Sequence, residues 1–554
     1  MTSFKDFAEV CKRVESISGS LEMTSIVAEF FRKVDDDELG MATHFIMGRI
    51  FPIWSEEESG IGQSLLYSAI SKISSLPVKR IEELVRDTGD PGHAAEKAIA
   101  SRKTHMTFFS ESELTISEVY SRLQTIARLS GKGSQTAKIK NLQYLFSSAI
   151  PIEIVYIARL AIEEMRIGVG EGIVRNAIAE AFNVPADLIE RGILLTNDFG
   201  LVAYTAKKEG VQGLEKLGVI LGRPIKVMLA QVASSIQEAI GEMKNVAVEW
   251  KFDGARVQIH KRGNHITIYS RKLENVTSSL PDIVRSIRLN ILTENVILDG
   301  EVVALGNDDR PMAFQELLKR FRRKYEISST AARIPLILDL FDIMFLNGEN
   351  LLDKPLTVRR KKLEEICDKN ILAKQTITDD PGVIEKAYND ALAAGHEGVM
   401  LKNPDSLYSP GKRGKNWLKL KPIMETLDLV VTGGEWGEGR RANLIGSYLL
   451  ACRDIEMDRF LSIGRVATGI TDAQLEELTD IFKDLVISEN GIHVDFEPKI
   501  VFEVAFEEIQ KSQNYDSGYA LRFPRLVNVR SDKSVEDADS IERVEQVYIG
   551  QRGR

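Results

Sequence analysis

The sequence predicts a multidomain chain with an all-α N-terminal domain, a mixed α+β middle domain and an all-β C-terminal domain. Three observations lead there. Up to about residue 220, apolar residues recur at helical spacing. Beyond that, short β-branched runs alternate with helical stretches, and from about Glu425 strands dominate. A length of 554 residues accommodates roughly three to four domains. The boundaries are drawn at 1–222, 223–421 and 422–554.

In the first portion, segments such as PIEIVYIARLAIEEMRI and GIVRNAIAEAFNV place apolar side chains at i, i+3, i+4 and i+7, with charges on the other face. The segment from Gly222 to Ala230, GRPIKVMLA, contains helix breakers and reads as a linker. The runs VAVEWKFDG, RVQIHKR, HITIYSR, NVILDGEVVAL and PLILDLFDIMFLNG then read as strands ended by turns, with MAFQELLKRF and TVRRKKLEEICDK as helices between them. In the last portion LDLVVTGG, GSYLLACRD, FLSIGRVATG and KIVFEVAFEEIQKS are strands, interrupted by one helix from about Asp472 to Val486. A small β-barrel of about 130 residues suits this portion.

Composition narrows the function classes. A hydrophobic content of 44% and a charged content of 28% are those of a globular protein with several cores. No apolar run of about 18 residues is present, which predicts no membrane span, and the charged N-terminus lacks a signal-peptide core. A cytoplasmic protein is expected. Cys11, Cys367 and Cys452 lie far apart, and the seven histidines show no ligand spacing, so a caged zinc or a disulfide framework is not expected. A net charge of −9 argues weakly against a nucleic-acid partner, because phosphate contacts depend on local patches. Candidate patches are Lys319-Arg320, Arg322-Arg323-Lys324, Arg359 to Lys362, and Lys412-Arg413 with Lys415; each also fits a solvated basic face.

Chemistry points first to Lys251. It lies in Glu249-Trp250-Lys251-Phe252-Asp253-Gly254, at the end of a strand, where alternation puts Glu249, Lys251 and Asp253 on one face. A lysine at a buried strand end, near other cations, becomes a nucleophile. On its own the pattern is more often a surface lysine near a hairpin turn, and Asp253 fits a turn residue as well as a helper. Further along come Ser270-Arg271, Asp299-Gly300-Glu301, Phe341-Asp342, Glu397-Gly398-Val399-Met400-Leu401-Lys402, and Trp417-Leu418-Lys419-Leu420-Lys421.

In this order the set resembles the motif series of the covalent nucleotidyltransferases: ATP-dependent DNA ligases, RNA ligases and mRNA capping enzymes. Arg522-Phe523-Pro524-Arg525 with Asp532-Lys533 resembles the closing motif of their C-terminal barrel. The resemblance covers about Lys251 to Lys533 and implies a nucleotidyltransferase (adenylation) domain followed by an OB-fold. It implies Lys251 as the nucleophile that carries AMP. Glu249, Arg256, Arg271, Glu301, Phe341, Arg413, Lys419, Lys421, Arg525 and Lys533 would bind the nucleotide, with Phe341 stacking on adenine. Glu301 and Glu397 would hold the metal, expected to be magnesium beside ATP.

The long helical portion ahead of Lys251 resembles the DNA-binding domain of archaeal and eukaryotic replicative DNA ligases. Gly131-Lys132-Gly133-Ser134-Gln135 leads into a helix expected to begin near Thr136, and Arg166-Ile167-Gly168-Val169-Gly170-Glu171-Gly172 into one expected to begin near Ile173. Glycines before a helix N-terminus suit a DNA phosphate, although taken alone they more often mark an ordinary helix–helix turn; it is the resemblance that favours DNA. The resemblance thus implies a monomeric, nucleoid-associated ATP-dependent DNA ligase that seals nicked duplex DNA in replication, repair and recombination. RNA ligase is the nearest alternative enzyme, a capping enzyme the next, and a DNA-binding scaffold the non-enzymatic one. Phe108 and Phe109, in a connector, resemble a sliding-clamp contact, though core packing suits them as well. A hinge is expected around Pro422, from Lys421 to Met424.

Overall fold

The computed structural model describes residues 1–100, 113–233, 235–306, 310–312, 314–321, 333–422, 426–437, 443–457 and 459–551. The chain divides into two compact units, Met1–Leu420 and Lys421–Arg554. Among the described residues no helix is long and apolar enough to cross a membrane.

The first unit opens with helices, from Phe4–Glu15 to Phe199–Lys216, whose apolar faces share one core that includes Phe7, Phe31, Phe45, Leu142 and Tyr156. The helix Pro151–Ala161 shows how the sequence builds it. Proline at its first position removes a donor that would lack a partner, and the Glu153 carboxylate reaches back to the Ile150 N–H at 2.8 Å. This helix is not the amphipathic surface helix its charges suggest. Every residue from Glu153 to Ala161 is buried, and Arg159 is only 2% exposed. Its guanidinium is compensated by Asp90, at 3.1 and 3.2 Å, and by Glu15, at 2.9 and 3.0 Å, as a charge removed from water requires.

The predicted linker is a fixed strut. Gly222 N–H donates to His260 Nδ1 at 2.9 Å, and Ile225 exchanges two hydrogen bonds with the Gln258 amide. Tyr269 caps the Gly222 carbonyl at 2.9 Å, and Asn197 donates to the Pro224 carbonyl at 3.3 Å. Arg223 stacks over the Trp54 ring at 4.5 Å. Side chains of the neighbouring layers thus satisfy a backbone that proline and glycine keep out of regular structure. The segment ends as a strand, β1 (Leu229–Val232).

Two five-stranded sheets follow. Their strands are β2 (Val246–Lys251), β3 (Ala255–Arg262), β4 (His265–Ser270), β5 (Asn295–Ala304), β6 (Leu336–Leu346), β7 (Glu349–Asn350), β8 (Gln375–Thr378), β9 (Gly398–Lys402) and β10 (Arg413–Leu420). One sheet has the order β1-β10-β9-β2-β8, the other β4-β3-β5-β6-β7. The outer face of the first sheet carries Val246, Val248, Val399 and Leu418 against the helices Ile236–Met243 and Pro381–Ala393. The outer face of the second covers Val257, Ile259, Leu298 and Leu340. Between the sheets, Phe341 and Trp417 meet edge to face with centroids 6.3 Å apart.

The second unit is β-rich, matching the expected all-β C-terminal domain. It comprises β11 (Thr426–Trp436), β12 (Ile445–Asp454), β13 (Arg459–Val466), the helix Asp472–Lys483, β14 (Val486–Asn490), β15 (His493–Phe496), β16 (Val501–Ala505), β17 (Glu508–Lys511), β18 (Tyr519–Arg522), β19 (Arg525–Val529) and the helix Ile541–Gly550, which adds Val544 and Val547 to the core. The long β11 pairs with β12 along one edge and, along the other, with β15 at its end and β16 at its start. Tyr448, Phe482, Phe496 and Phe502 form an aromatic cluster within its core.

Candidate active site

Strand β2 puts Val246, Val248 and Trp250 on its outer face, so Glu249 and Lys251 point between the sheets, as the alternation predicts. The turn after Lys251 needs a glycine for lack of room: a Cβ on Gly254 would sit 2.5 Å from the Val302 carbonyl of β5. Lys251 is about one-fifth exposed and its Nζ pairs with Glu397. The Glu397 N–H also donates to the Lys251 carbonyl at 3.0 Å. Gly398, opposite Lys251, has φ +131°, a conformation that explains a glycine directly after Glu397.

Glu249 is 3% exposed and holds two donors, Lys402 Nζ on Oε2 at 2.5 Å and Gln375 Nε2 on Oε1 at 2.6 Å. Lys402 is itself buried, with its Nζ 4.4 Å from the centroids of both Phe341 and Trp417. Met400 lies directly opposite Glu249 on β9 and packs into the Phe341 cluster. An acceptor beside a flat aromatic and a thioether is a surface a purine fits.

Arg256 pairs with the fully buried Asp299 at 3.0 and 2.5 Å and donates to the Met228 carbonyl at 2.6 Å. Tyr408 donates to Asp299 at 2.7 Å, so three groups immobilise the Arg256 guanidinium beside Glu301, its cross-strand partner. Burial pushes the Glu301 carboxyl up to about 8, against the pull of Lys251 and Arg256; Glu397 and Asp299 add to the rise. Asp339, opposite Glu301 on β6, is raised by burial to about 6. A carboxyl that burial holds protonated is poised to ionise when a cation arrives. Glu301 and Glu397 therefore fit a hard ion that takes one or two carboxylates and fills its remaining positions with phosphate and water.

The remaining expected residues are more dispersed. Arg271 is exposed in the turn after β4, Arg413 is exposed at the start of β10, and Lys419 is part-buried on β10 opposite Met400. Lys421 belongs to the second unit and is ion-paired there with Glu507. Arg525 begins β19, exposed, and Lys533 donates to Asp428 at 2.6 Å. Three of the basic runs are partly internal or neutralised. Arg320 and Arg359 are buried against Asp282 and Asp342, and Lys412 and Lys415 pair with Glu190 and Glu242. Arg322, Arg323 and Lys324 lie outside the described residues.

In the helical portion, Gly131 and Gly133 have φ +80° and +87°, and Gly133 precedes the helix Ser134–Ser148. Lys132 and Gln135 are exposed, and Ser134 is half-buried. Gly168 has φ +74°, and Gly170 precedes the helix Glu171–Phe182. A Cβ at Gly131, Gly133 or Gly170 would meet nothing within 4 Å, so these backbones open to the surroundings. Phe108 and Phe109, with the expected clamp contact, lie outside the described residues, as do Ile423 and Met424 of the expected hinge.

Sequence reasoning did not select Lys402, Gln375, Met400, Asp299 or Tyr408. Three of them lie inside the motifs themselves, Asp299 before Glu301 and Met400 and Lys402 after Glu397. Gln375 carried no signal, because its partner is 126 residues away.

Residues 3–179 match the family described as DNA ligase N terminus, 227–421 the ATP dependent DNA ligase domain, and 441–533 the ATP dependent DNA ligase C terminal region. The chain is 56% identical to the DNA ligase of Methanococcoides burtonii over 567 residues, covering 100% of each. It is 50% identical to the DNA ligase of Archaeoglobus fulgidus over 549 residues, covering 98% of each. The solved structure named Pmar-Lig_Pre, 18% identical, shares the fold with a TM-score of 0.55 over 95% of this chain and 99% of its own.

Proposed function

The chain belongs to the ATP-dependent DNA ligase family, and from that premise we propose how its residues divide the work. The enzyme is an ATP-dependent DNA ligase that uses ATP with magnesium and acts on nicked DNA. Lys251 gives up its ammonium proton to water, and the neutral Nζ attacks the α-phosphate of ATP, losing a second proton as the phosphoramidate forms. The N–P bond forms, the bond to the pyrophosphate breaks, and pyrophosphate leaves, so that AMP remains on Lys251 as a phosphoramidate. AMP then passes to the 5′-phosphate of a nick, and the 3′-hydroxyl displaces it to seal the strand. The observation that carries this reading is Lys251 held by Glu397, close to Glu301 and Arg256, between two sheets.

Within this reading Glu249 and Phe341 take the adenine, and Arg256 and Arg271 the ribose or phosphates. Arg413, Lys419 and Lys421 take phosphates, a role for which Lys421 must leave Glu507. Arg525 and Lys533 orient the departing pyrophosphate. Glu301 and Glu397 would hold magnesium, which neutralises charge on the phosphoryl oxygens. Residues 1–222 bind DNA, 223–421 carry adenylation, and 422–554 form the mobile OB-fold domain. Support for the DNA role comes from the open glycine backbones at Gly131, Gly133 and Gly170, with Lys132, Ser134 and Gln135 at the first turn and Gly168, at φ +74°, in the second. The same reading makes the enzyme a monomer at the nucleoid in the cytoplasm. Phe108 and Phe109 contact a sliding clamp, which a Phe108→Ala, Phe109→Ala variant would test by loss of clamp binding.

The test is incubation with α-labelled ATP, GTP and NAD, with and without magnesium, for wild type and Lys251→Ala. Label from ATP should bond to wild type only, survive denaturation, and move onto nicked DNA. Label from GTP, or transfer to RNA alone, would overturn the assignment.

A further inference from the structure

We infer that Gln375 is a positioning residue that sets the choice of purine, by fixing how Glu249 presents its carboxylate to the 6-position of the base. The inference rests on the reading that Glu249 meets the adenine.

Strand β8 lies at the edge of its sheet, and in its register with β2 Gln375 stands directly opposite Glu249. Direct cross-strand neighbours on one face are close enough for side chains to bond. Gln375 accordingly donates Nε2 to Oε1 of Glu249 at 2.6 Å. Lys402, opposite Ala247 and so diagonal to Glu249, reaches Oε2 at 2.5 Å. Each carboxylate oxygen has about two acceptor directions, so one remains on each.

A base with a 6-amino group offers an N–H to such an acceptor. A base with a 6-oxo group opposes lone pair to lone pair. Sites built around a required hydrogen bond reject the analogue that lacks it far more strongly than apolar pockets do. The discrimination depends on the carboxylate holding one rotation, yet the terminal torsion of a glutamate is intrinsically broad. Lys402 alone fixes one oxygen; Gln375 fixes the second and with it the plane.

The two partners differ in what their removal does. Loss of Lys402 leaves a buried carboxylate uncompensated, which endangers folding. Gln375 is neutral and partly exposed, so its loss keeps the Glu249–Lys402 pair and frees only the rotation.

The experiment uses the full-length enzyme, stripped of bound AMP with pyrophosphate, and measures Lys251 labelling against the concentrations of ATP and inosine triphosphate. Gln375→Met keeps the side-chain length without the N–H. It should raise KM for ATP about tenfold and lower the preference for ATP over inosine triphosphate by a similar factor, while the maximal rate changes less than about twofold. Gln375→Asn, which keeps the donor on a shorter stem, should retain more of the preference than Gln375→Met. An unchanged preference in both variants overturns the inference. Glu249→Gln separates the two levels: if it alters the preference while Gln375→Met does not, only the role of Gln375 fails. If Glu249→Gln leaves the preference unchanged, Glu249 does not meet the base at all.

Discussion

Lys251 and Glu397 are tied twice, once through side chains and once through the Glu397 N–H and the Lys251 carbonyl at 3.0 Å. The main-chain bond joins the end of β2 to the residue before β9, so the carboxylate follows the nucleophile wherever the sheet places it. The pair therefore aims the lysine before any nucleotide is present, which is the pre-positioning that makes an attack effectively intramolecular.

Glu397→Gln keeps the main-chain bond and the side-chain shape but removes the charge that holds Lys251 and would hold magnesium. Labelling of Lys251 should fall by about 10²–10³-fold at saturating ATP, and its magnesium requirement should rise. Rapid-quench labelling across a magnesium titration measures both. A rate within a few-fold of wild type at every magnesium concentration would remove Glu397 from the chemistry.

Much of this site was legible in the sequence, and the reason is local. Lys251, Gly254, Glu301, Phe341 and Glu397 sit in short motifs whose spacing reports a strand and a turn, and Gly254 and Gly398 each mark a place where a side chain or an ordinary backbone conformation would not fit. What the sequence hid is pairing at long range. Gln375 and Lys402 meet Glu249 across 126 and 153 residues, through a register that no local pattern encodes. For the same reason Arg159 reads as a surface charge, although it is buried against Asp90 and Glu15, 69 and 144 residues away. The strut from Gly222 to Ile225 was equally hidden, because the glycine and proline that signal a linker say nothing of the Gln258, His260 and Tyr269 side chains that bind it.

That strut should be acid-sensitive. His260 is 3% exposed, accepts from Gly222 N–H at Nδ1, and lies beside Gln258, the Tyr269 ring and Arg262. Burial, helped by Arg262, lowers its pKa from 6.5 to about 3. The folded chain therefore refuses a proton that the unfolded chain accepts below about pH 6.5. The associated stability is present above that pH and is lost as pH falls toward about 3, at up to about 1.4 kcal/mol per pH unit. His260→Gln removes this titration. Urea midpoints across pH 7 to 4 should fall more steeply for wild type than for the variant, and equal slopes would show that His260 does not control the effect.

Lys533 donates to Asp428 at 2.6 Å, and Arg530 shares the same carboxylate at 3.2 and 3.3 Å while gripping Asp532 at 2.8 and 2.9 Å. Lys533 is 30% exposed, and ion pairs in such positions contribute only about 0–1 kcal/mol. The lysine can therefore leave Asp428 for a phosphate at little cost, while Arg530 keeps the carboxylate occupied. If Lys533 serves the departing pyrophosphate, it matters while Lys251 is being adenylated and much less when the 3′-hydroxyl attacks, since no pyrophosphate is then present. Lys533→Ala should lower Lys251 labelling by about 10²-fold yet seal pre-adenylated nicked DNA at a substantial rate. Single-turnover assays of the two steps on one preparation measure the ratio. A sealing defect as deep as the labelling defect would place Lys533 in both steps and end this division of labour.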